Sequence, residues 1–224
     1  TAPYTIAPSQ SNLSAGSYVF TVTDAANCVQ LVSATITEPA SAITLVANSN
    51  GPSSICQGDS RVLNSVAFGG TGALSYNWTA SIGTLANDNT ATPTFTASAV
   101  GTATISVVVT DANGCQQSSV FSMSINTKPT ATLTQTNVSC HGGNDGSVVI
   151  TPANGTAPYT ISPSQTGLAV GTYTFVVVDA SGCSTTINAT ITEPSIMSAT
   201  LTQTNVSCNG GSDGSVVITT SGGT

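Results

Sequence analysis

Basic side chains are almost absent from this sequence. Arg61 and Lys128 are its only lysine or arginine residues among 224, against nine acidic residues, and the formal net charge is −7. Proteins that bind nucleic-acid phosphates or anionic lipids need clustered lysine and arginine. Nucleic acid and anionic membranes are therefore excluded as expected partners.

Long apolar runs are missing as well. No stretch approaches the roughly 18 consecutive apolar residues of a membrane-spanning helix, so we expect no membrane insertion in this segment. Charged residues make up only 5% of the chain, compared with about 25% in typical soluble proteins. Apolar residues still contribute 39%, which argues against disorder. We expect folded segments whose surfaces are covered by Ser, Thr, Asn and Gly.

The usual catalytic groups are equally scarce. His141 is the single histidine, and a second copy of its motif carries Asn209 in its place, so an ordinary turn residue is the favoured interpretation. No G-x-S-x-G motif presents a nucleophilic serine. The acidic residues are too isolated to form the carboxylate pair of a glycoside hydrolase. We predict that this segment is not an enzyme.

What the sequence does contain is an internal repeat. Residues 131–149 return at 199–217, and the motif at 156–165 returns at 1–10. Such repetition indicates an array of modules. Thr1 and Thr224 both correspond to Thr156, so we expect a longer sequence to repeat this segment every 223 residues or so. The predicted modules are a half repeat (1–39), a different module (40–128), a complete repeat (129–195) and a further half repeat (196–224).

Short β-prone runs between Gly and Asn turns predict the fold. Ile105, Val107 and Val109 alternate along the longest run, as in a strand with one buried face. Regularly spaced strands without helical patterns favour sandwiches. We predict an all-β chain, a tandem array of small immunoglobulin-like β-sandwich modules, each with an intradomain disulfide. In the complete repeat the predicted strands are 130–137, 146–152, 158–163, 171–179 and 184–192.

Three aromatic residues are predicted to have structural roles. Tyr18 and Tyr173 each follow a leucine and a glycine at the spacing of a tyrosine corner, which ties a turn to the next strand. Trp78 is predicted on a central strand, packed across two sheets. A platform that stacks sugars is the alternative for Trp78, Tyr76 and the repeat tyrosines. Core packing is favoured because they occupy alternating strand positions.

Cysteine spacing predicts the covalent links. Cys140 and Cys183 bracket the complete repeat 43 residues apart, whereas Cys56 and Cys115 bracket the middle module 59 residues apart. Single cysteines in charge-poor β modules indicate disulfides formed in an oxidising, extracellular compartment. No close C-x-x-C pair suggests a metal site. We predict the bonds Cys56–Cys115 and Cys140–Cys183. Two cysteines near the ends are expected to bond partners outside this segment: Cys28 and Cys208.

Isolated acidic residues lie at turns and module ends. Calcium bound through the turn aspartates is one alternative, but each turn supplies a single carboxylate, so an Asx turn is favoured. Calcium between modules is likewise an alternative for the glutamates that precede proline, where a solvated residue is favoured. No other cofactor is expected. The aspartates are Asp24, Asp111, Asp145, Asp179 and Asp213, and the glutamates are Glu38 and Glu193.

Two resemblances to known families follow from these motifs. ICQGDS at 55–60, YNW at 76–78 and GTATISVVVTDANGC at 101–115 resemble PKD-like, immunoglobulin-like modules of bacterial surface proteins. NVSCHGGNDGSVVIT, GTAPYTISP, GLAVGTYTFVVVDASGC and ATITEP resemble the SprB repeat, named after the giant adhesin of gliding Bacteroidetes. This resemblance implies a very long cell-surface protein that is exported by the type IX system and, in some relatives, moves along the cell during gliding.

These observations predict a structural function. Short proline-containing junctions leave little slack between modules, so we expect an extracellular stalk or filament that holds an adhesive region away from the cell. Its expected partners are neighbouring repeats of the same chain, surface glycans or a substratum, and by resemblance the motility or secretion machinery. The alternatives are a glycan- or calcium-binding module and an accessory domain of a secreted hydrolase.

Overall fold

Twenty β-strands make up the regular structure of the part of the chain that the structure describes. The computed structural model describes residues 3–39 and 41–224, and no helix is present within them. Consequently, this part of the chain has no helix long and apolar enough to cross a membrane. The strands form several separate sheets, as expected for a tandem all-β chain.

The first sheet contains three antiparallel strands in the order β1-β2-β3. Tyr18, Phe20 and Val22 alternate along β2 and are half-buried. Apolar side chains of the neighbouring strands line a shallow groove beside Phe20 and Val22. The strands are β1 (Thr5–Ala7), β2 (Gly16–Thr23) and β3 (Val29–Ile36).

The next nine strands form a closed unit, here called the middle sandwich. Its largest sheet has the order β5-β12-β11-β8, and it faces the sheets β6-β10-β9 and β4-β7. Ile105, Val107 and Val109 on β11 are fully buried, which confirms the predicted alternation. The strands are β4 (Thr44–Asn48), β5 (Ser54–Cys56), β6 (Ser60–Val62), β7 (Asn64–Phe68), β8 (Ser75–Ala80), β9 (Thr84–Ala86), β10 (Thr94–Thr96), β11 (Gly101–Thr110) and β12 (Gln116–Asn126).

Trp78 is buried in this sandwich, with only 2% of its surface exposed. Its indole ring packs edge-on against Phe121, and its Nε1–H donates to the Thr90 carbonyl at 2.9 Å. The prediction of core packing is confirmed, but the predicted central strand is wrong, because β8 lies at the edge of its sheet. The loop containing Asp88 and Thr90 covers Trp78. The backbone N–H of Trp78 donates to the Asp88 carbonyl.

The following six strands form the repeat sandwich, with one sheet in the order β13-β14-β16 and the other in the order β15-β17-β18. Phe175, Val177 and Ile191 are fully buried between the two sheets. The predicted strands are all present; four are shorter than predicted, β14 extends one residue further, and β16 is an additional strand. The strands are β13 (Thr130–Thr136), β14 (Gly146–Ala153), β15 (Thr160–Ser162), β16 (Thr166–Leu168), β17 (Gly171–Val178) and β18 (Ser184–Ile191).

A terminal hairpin follows, formed by β19 (Ser198–Thr204) and β20 (Ser215–Ser221). The repeat relates it to β13 and β14, whereas the first sheet is related to β15, β17 and β18. The first sheet and the terminal hairpin therefore correspond to the two opposing sheets of one repeat sandwich. Every sheet is built from strands of a single unit: the first sheet, the middle sandwich, the repeat sandwich or the terminal hairpin.

The predicted tyrosine corner is present twice. The Tyr173 hydroxyl donates to the Ala169 carbonyl at 3.1 Å, and the Tyr18 hydroxyl donates to the Ser14 carbonyl at 2.9 Å. Each bond fixes the turn that enters a long strand, β17 or β2. The tyrosines are thus structural, as their spacing predicted.

Replacing Tyr173 by phenylalanine should weaken this turn. Loss of one hydrogen bond costs about 1 kcal/mol, which corresponds to roughly fivefold faster local amide exchange. Hydrogen–deuterium exchange of peptides covering β16 and β17 measures the effect. Tyr18→Phe is the matched control, because it removes the same bond from the first sheet. An equal acceleration of β17 exchange in both variants would contradict a local role.

Candidate functional site

The one disulfide among the described residues joins two different sandwiches. It links Cys56, at the end of β5 in the middle sandwich, to Cys183, directly before β18 in the repeat sandwich. The two Cα atoms are 5.7 Å apart across 127 positions of sequence. Cys183 is fully buried. The junction between the sandwiches is therefore covalently closed.

This bond contradicts the predicted pairs Cys56–Cys115 and Cys140–Cys183. Cys115 lies directly before β12, whereas Cys56 is the register partner of Asn126 at the far end of that strand. Eleven residues of strand rise about 36 Å, far beyond the roughly 7 Å that a disulfide allows between Cα atoms.

The same geometry separates the second predicted pair. Cys183 lies at the start of β18, whose eight residues rise about 26 Å. The turn that carries Cys140 contacts Glu193 and Pro194, just beyond the other end of β18. Each module therefore carries its two cysteines at opposite ends. The expectation of one intradomain disulfide in each module is wrong for both complete modules.

Cys183 is positioned by a turn that we call the D-x-x-x-C turn. Oδ1 of Asp179 accepts the backbone N–H groups of Ser181 and Cys183 at 2.9 and 2.8 Å. Its Oδ2 accepts the N–H of Thr156 at 2.9 Å. The Asp179 side chain is thus held by three backbone donors and is only 5% exposed. This carboxylate connects the cysteine turn to the Gly155–Thr156 loop at the entry of the repeat sandwich.

The same turn occurs twice more. Asp111 accepts from the N–H groups of Thr71, Asn113 and Cys115. The Asx-turn prediction is confirmed at all three aspartates, because each carboxylate closes its own turn. The copy in the first sheet is formed by Asp24, whose Oδ1 accepts from Ala26 and Cys28.

These hydrogen bonds lower the pKa of the Asp111 carboxyl below its ordinary value of 3.8, with the Thr71 N–H as the largest cause. A lowered pKa in the folded state stabilises the fold above the ordinary pKa, and this stabilisation is lost as the pH falls through the lowered value. The middle sandwich should therefore lose stability on acidification below about pH 4.

Urea unfolding followed by Trp78 fluorescence at a series of pH values measures this loss, because the single tryptophan reports on the middle sandwich. The Asp111→Asn variant should have a lower urea midpoint at neutral pH and a flatter acid dependence, since its amide does not titrate. Equal acid sensitivity in both proteins would show that another group controls the effect.

Cys56 lies in a second kind of turn, the C-x-G turn. The Cys56 carbonyl accepts the Asp59 N–H at 3.0 Å, and Gly58 adopts a positive φ of 85°, a region that favours glycine. The Gln57 N–H donates to the Asn126 carbonyl at 2.8 Å. The turn is thereby held against the last strand of the middle sandwich, at its exit.

Both basic residues of the chain lie at this exit. Lys128 Nζ is 2.5 Å from Asp59 Oδ1, which ties the linker to the C-x-G turn. The Arg61 guanidinium donates to the carbonyls of Pro52 and Ser54, beside Cys56. Ser181 and Gly182 of the repeat sandwich border the same cleft. The junction thus combines a covalent bond with an ion pair and backbone contacts.

The next junction uses related contacts around His141. The Gly142 N–H donates to Glu193 Oε2 at 2.7 Å, and His141 Nδ1 lies 3.3 Å from both Glu193 Oε1 and the Pro194 carbonyl. His141 is a turn residue, as predicted. Glu193 is partly exposed, as the solvated-residue prediction implies, but it also accepts a hydrogen bond from the turn, whereas Glu38 is exposed.

The remaining turn aspartates are also used locally. Hydrogen bonds from the Ser139 hydroxyl and backbone N–H lower the pKa of Asp145, and Ser207 has the same effect on Asp213. Across residues 3–39 and 41–224, no three His, Cys, Asp or Glu side chains form a cluster that could hold a metal ion. These carboxylates act as turn acceptors.

Sequence reasoning missed the pairing of the two turn types. The available signal was the difference between the cysteine motifs, C-x-G in Cys56, Cys140 and Cys208 and D-x-x-x-C in the other three. Spacing alone could not reveal that the two motifs lie at opposite ends of a module. That arrangement follows from strand length and direction.

Comparison with family models identifies part of the chain. Residues 132–166 and 200–224 match the model described as SprB repeat. These segments lie in the repeat sandwich and the terminal hairpin. The chain therefore carries SprB repeat sequence in two places, in agreement with the resemblance of its motifs. A comparison with curated proteins gives no match.

Among solved structures, the chain is similar to a three-domain titin fragment, I67–I69, in an E-to-A mutated variant. The TM-score is 0.33 at 10% identity, over 86% of this chain and 83% of the titin chain. A fragment with protocadherin gamma B2 cadherin domains 3–6 gives a TM-score of 0.28 at 8% identity. That match covers 85% of this chain and 60% of the protocadherin chain.

Proposed function

We propose that this chain, with SprB repeat sequence at 132–166 and 200–224, is a load-bearing stalk segment of a long, repetitive cell-surface adhesin. The family match supports the coarser statement, a repetitive adhesin-like segment. The stalk is inferred from the junctions. Its task is to hold a distal adhesive region away from the cell.

The observation that carries this proposal is the Cys56–Cys183 disulfide. A tandem array bends most easily at the linkers between its modules, where few contacts cross. Here a covalent bond crosses a linker, so its two sandwiches cannot separate while the disulfide persists. An extended stalk that must resist mechanical load benefits from such a bond, whereas an enzyme does not require it.

Noncovalent contacts support the same role. The Lys128–Asp59 ion pair and the Gly142–Glu193 hydrogen bond connect linker residues to C-x-G turns. Each contact by itself is weak at an exposed position. Together with proline in each linker, they restrict bending between neighbouring units.

The proposed location is the outside of the cell. A stable disulfide is typical of an oxidising compartment. Neighbouring repeats of the same protein are the immediate partners. On the basis of the SprB resemblance, the proposal includes export by the type IX system and contact with motility machinery.

Negative-stain electron microscopy of the oxidised chain tests the stalk. We expect elongated particles with a narrow distribution of angles between the two sandwiches. The Cys56→Ser/Cys183→Ser variant should show a broader distribution, and Cys115→Ser/Cys140→Ser is the matched control. Compact globules, or equal angular spread in all three proteins, would contradict the proposed function.

The three aromatic residues with structural roles do not favour glycan binding over this role. Trp78 is buried, and Tyr18 and Tyr173 make tyrosine corners. Sugar platforms need exposed aromatic faces, which these side chains do not provide. A glycan array probed with the chain should give no signal above a reduced and denatured control.

A further inference from the structure

We infer that the Cys56–Cys183 bond is one link in a continuous series of junction disulfides. In this series, the cysteine of each C-x-G turn bonds the cysteine of the D-x-x-x-C turn in the sandwich that follows. Cys140 would bond the residue at the position of Cys28 in the next repeat. Cys208 would bond the residue at the position of Cys115, one sandwich further. These four cysteines have free thiols in this structure.

The first support is that the three C-x-G turns have one conformation. The carbonyls of Cys140 and Cys208 accept the N–H of Gly143 and Gly211 at 3.0 and 2.9 Å, as the Cys56 carbonyl accepts from Asp59. The middle glycine has a positive φ in every copy, 85°, 74° and 83° in chain order. Cys140 and Cys208 are therefore presented in the same way as the bonded Cys56.

The three D-x-x-x-C turns agree equally well. In each one the aspartate N–H donates to the cysteine carbonyl, and the aspartate Oδ1 accepts the cysteine N–H. The residue before the cysteine has a positive φ, between 65° and 84°, at Asn27, Gly114 and Gly182. Cys28 and Cys115 are thus held in the conformation of the bonded Cys183, yet both are exposed.

The two turn types meet at the bonded junction, and the surroundings of Cys140 correspond to it. At the bonded junction, Cys56 lies beside Ser181 and Gly182 of the following sandwich. Cys140 lies beside the linker residues 195–197 and the loop at Gly223 and Thr224. That loop is the repeat equivalent of Gly155 and Thr156, which bind the Asp179 turn. Cys140 therefore faces the place where the next D-x-x-x-C turn would be held.

The junction before the middle sandwich contains a D-x-x-x-C turn, that of Cys115, without its C-x-G partner. Cys115 and Asp111 border a cleft with Glu38 and Pro39, the linker that leaves the first sheet. In the repeat sandwich the corresponding residues, Glu193 and Pro194, bind the C-x-G turn of Cys140. Cys115 therefore faces the place of a C-x-G turn from the preceding repeat.

A second copy of this chain provides both missing partners. The terminal hairpin and the first sheet correspond to the opposing sheets of a repeat sandwich, and both expose apolar side chains, including Leu201, Ile218 and Val32. If Ala2 of a second copy follows Thr224 of the first, these halves form one complete repeat. The predicted bonds are then Cys140 of the first copy to Cys28 of the second, and Cys208 of the first to Cys115 of the second.

Each bond forms by oxidation of two thiols. The two sulfur atoms join, and the two electrons and two protons that they give up pass to a disulfide-containing oxidant, which becomes a dithiol or two thiols. Because Cys140 precedes Cys183 in the chain, successive disulfide loops overlap. A single backbone cut within such an array would leave its two sides covalently connected.

The experiment uses a fused chain in which Thr224 of one copy is followed by Ala2 of a second copy. It is oxidised with a mixture of reduced and oxidised glutathione and mapped by mass spectrometry of non-reduced peptides. We expect both bonds between copies and the Cys56–Cys183 bond within each. Free thiols should fall to four per fused chain, from the eight that two separate chains carry.

Serine substitutions establish the direction of pairing. Cys140→Ser in the first copy should free Cys28 of the second copy and leave the Cys208–Cys115 bond intact. A bond between Cys208 of the first copy and Cys28 of the second, within one sandwich, would overturn the inference. Eight free thiols in a chain whose Trp78 fluorescence shows a folded middle sandwich would also overturn it. Neither result depends on whether the chain bears load.

Discussion

Pulled from its two ends, this chain should extend by about 450 Å more after reduction of the Cys56–Cys183 disulfide than before. The bond closes a loop of 127 residues, and each residue of extended chain contributes roughly 3.3–3.6 Å. While the bond is intact, force bypasses the loop, and the residues between the two cysteines cannot contribute to the extension.

Single-molecule force spectroscopy with and without reductant measures this difference. Cys56→Ser/Cys183→Ser should give the long extension under both conditions, and Cys115→Ser/Cys140→Ser should behave like the unchanged protein. Two disulfides within modules would instead release loops of 59 and 43 residues, about 210 and 150 Å. Steps of those two lengths would contradict the observed pairing.

The same loop should also affect thermodynamic stability. In the chain-entropy model a closed loop of this length stabilises the folded state by about 5 kcal/mol. Part of that gain is offset wherever the unfolded state retains structure. Both sandwiches should therefore unfold at lower urea concentration after reduction, even though the bond lies at their shared edge.

Replacing Asp179 by alanine should destabilise the repeat sandwich by about 4 kcal/mol, because three backbone donors lose a charged acceptor in a nearly buried site. The substitution also releases the turn that presents Cys183 to Cys56. We expect both a lower urea midpoint and a smaller fraction of the Cys56–Cys183 bond in a glutathione buffer.

Two variants serve as controls for this result. Asp179→Asn keeps the Oδ1 acceptor but turns an amide N–H₂ toward the Thr156 N–H, so it should cost about half as much. Asp24→Ala removes the same turn from the first sheet and should leave the Cys56–Cys183 fraction unchanged. A normal bonded fraction in Asp179→Ala would show that Cys183 is positioned by other contacts.

Much of the fold was predictable because it is local. Alternation along β11 identified its buried face, and the leucine, glycine and tyrosine spacing identified both tyrosine corners. The D-x-x-x-C aspartates were recognisable as Asx turns, since all partners except the Thr71 and Thr156 N–H groups lie within four residues. Such features depend on residues that are close in the sequence, so short motifs are sufficient to predict them.

Other features depended on contacts between residues that are distant in the sequence, which short motifs do not predict. Trp78 was expected on a central strand, but the loop at Asp88 and Thr90, ten or more residues away, covers it. The β-prone residues 60–68 look continuous in the sequence, yet β6 and β7 belong to different sheets. The bond between Glu193 and Gly142 joins residues 51 positions apart. Such pairs form where the chain reverses direction, and the spacing of residues in the sequence does not predict which residues then meet.

The sequence by itself determined an all-β repeat, its turns, its charge-poor surface and the presence of disulfides, because composition and short motifs control each of these. Only the tertiary structure decided which cysteines meet. A strand of eight or eleven residues places the two cysteines of a module at opposite ends, about 26 or 36 Å apart. Sulfur atoms can bond only across a few ångströms, so Cys183 bonds Cys56 of the adjacent sandwich.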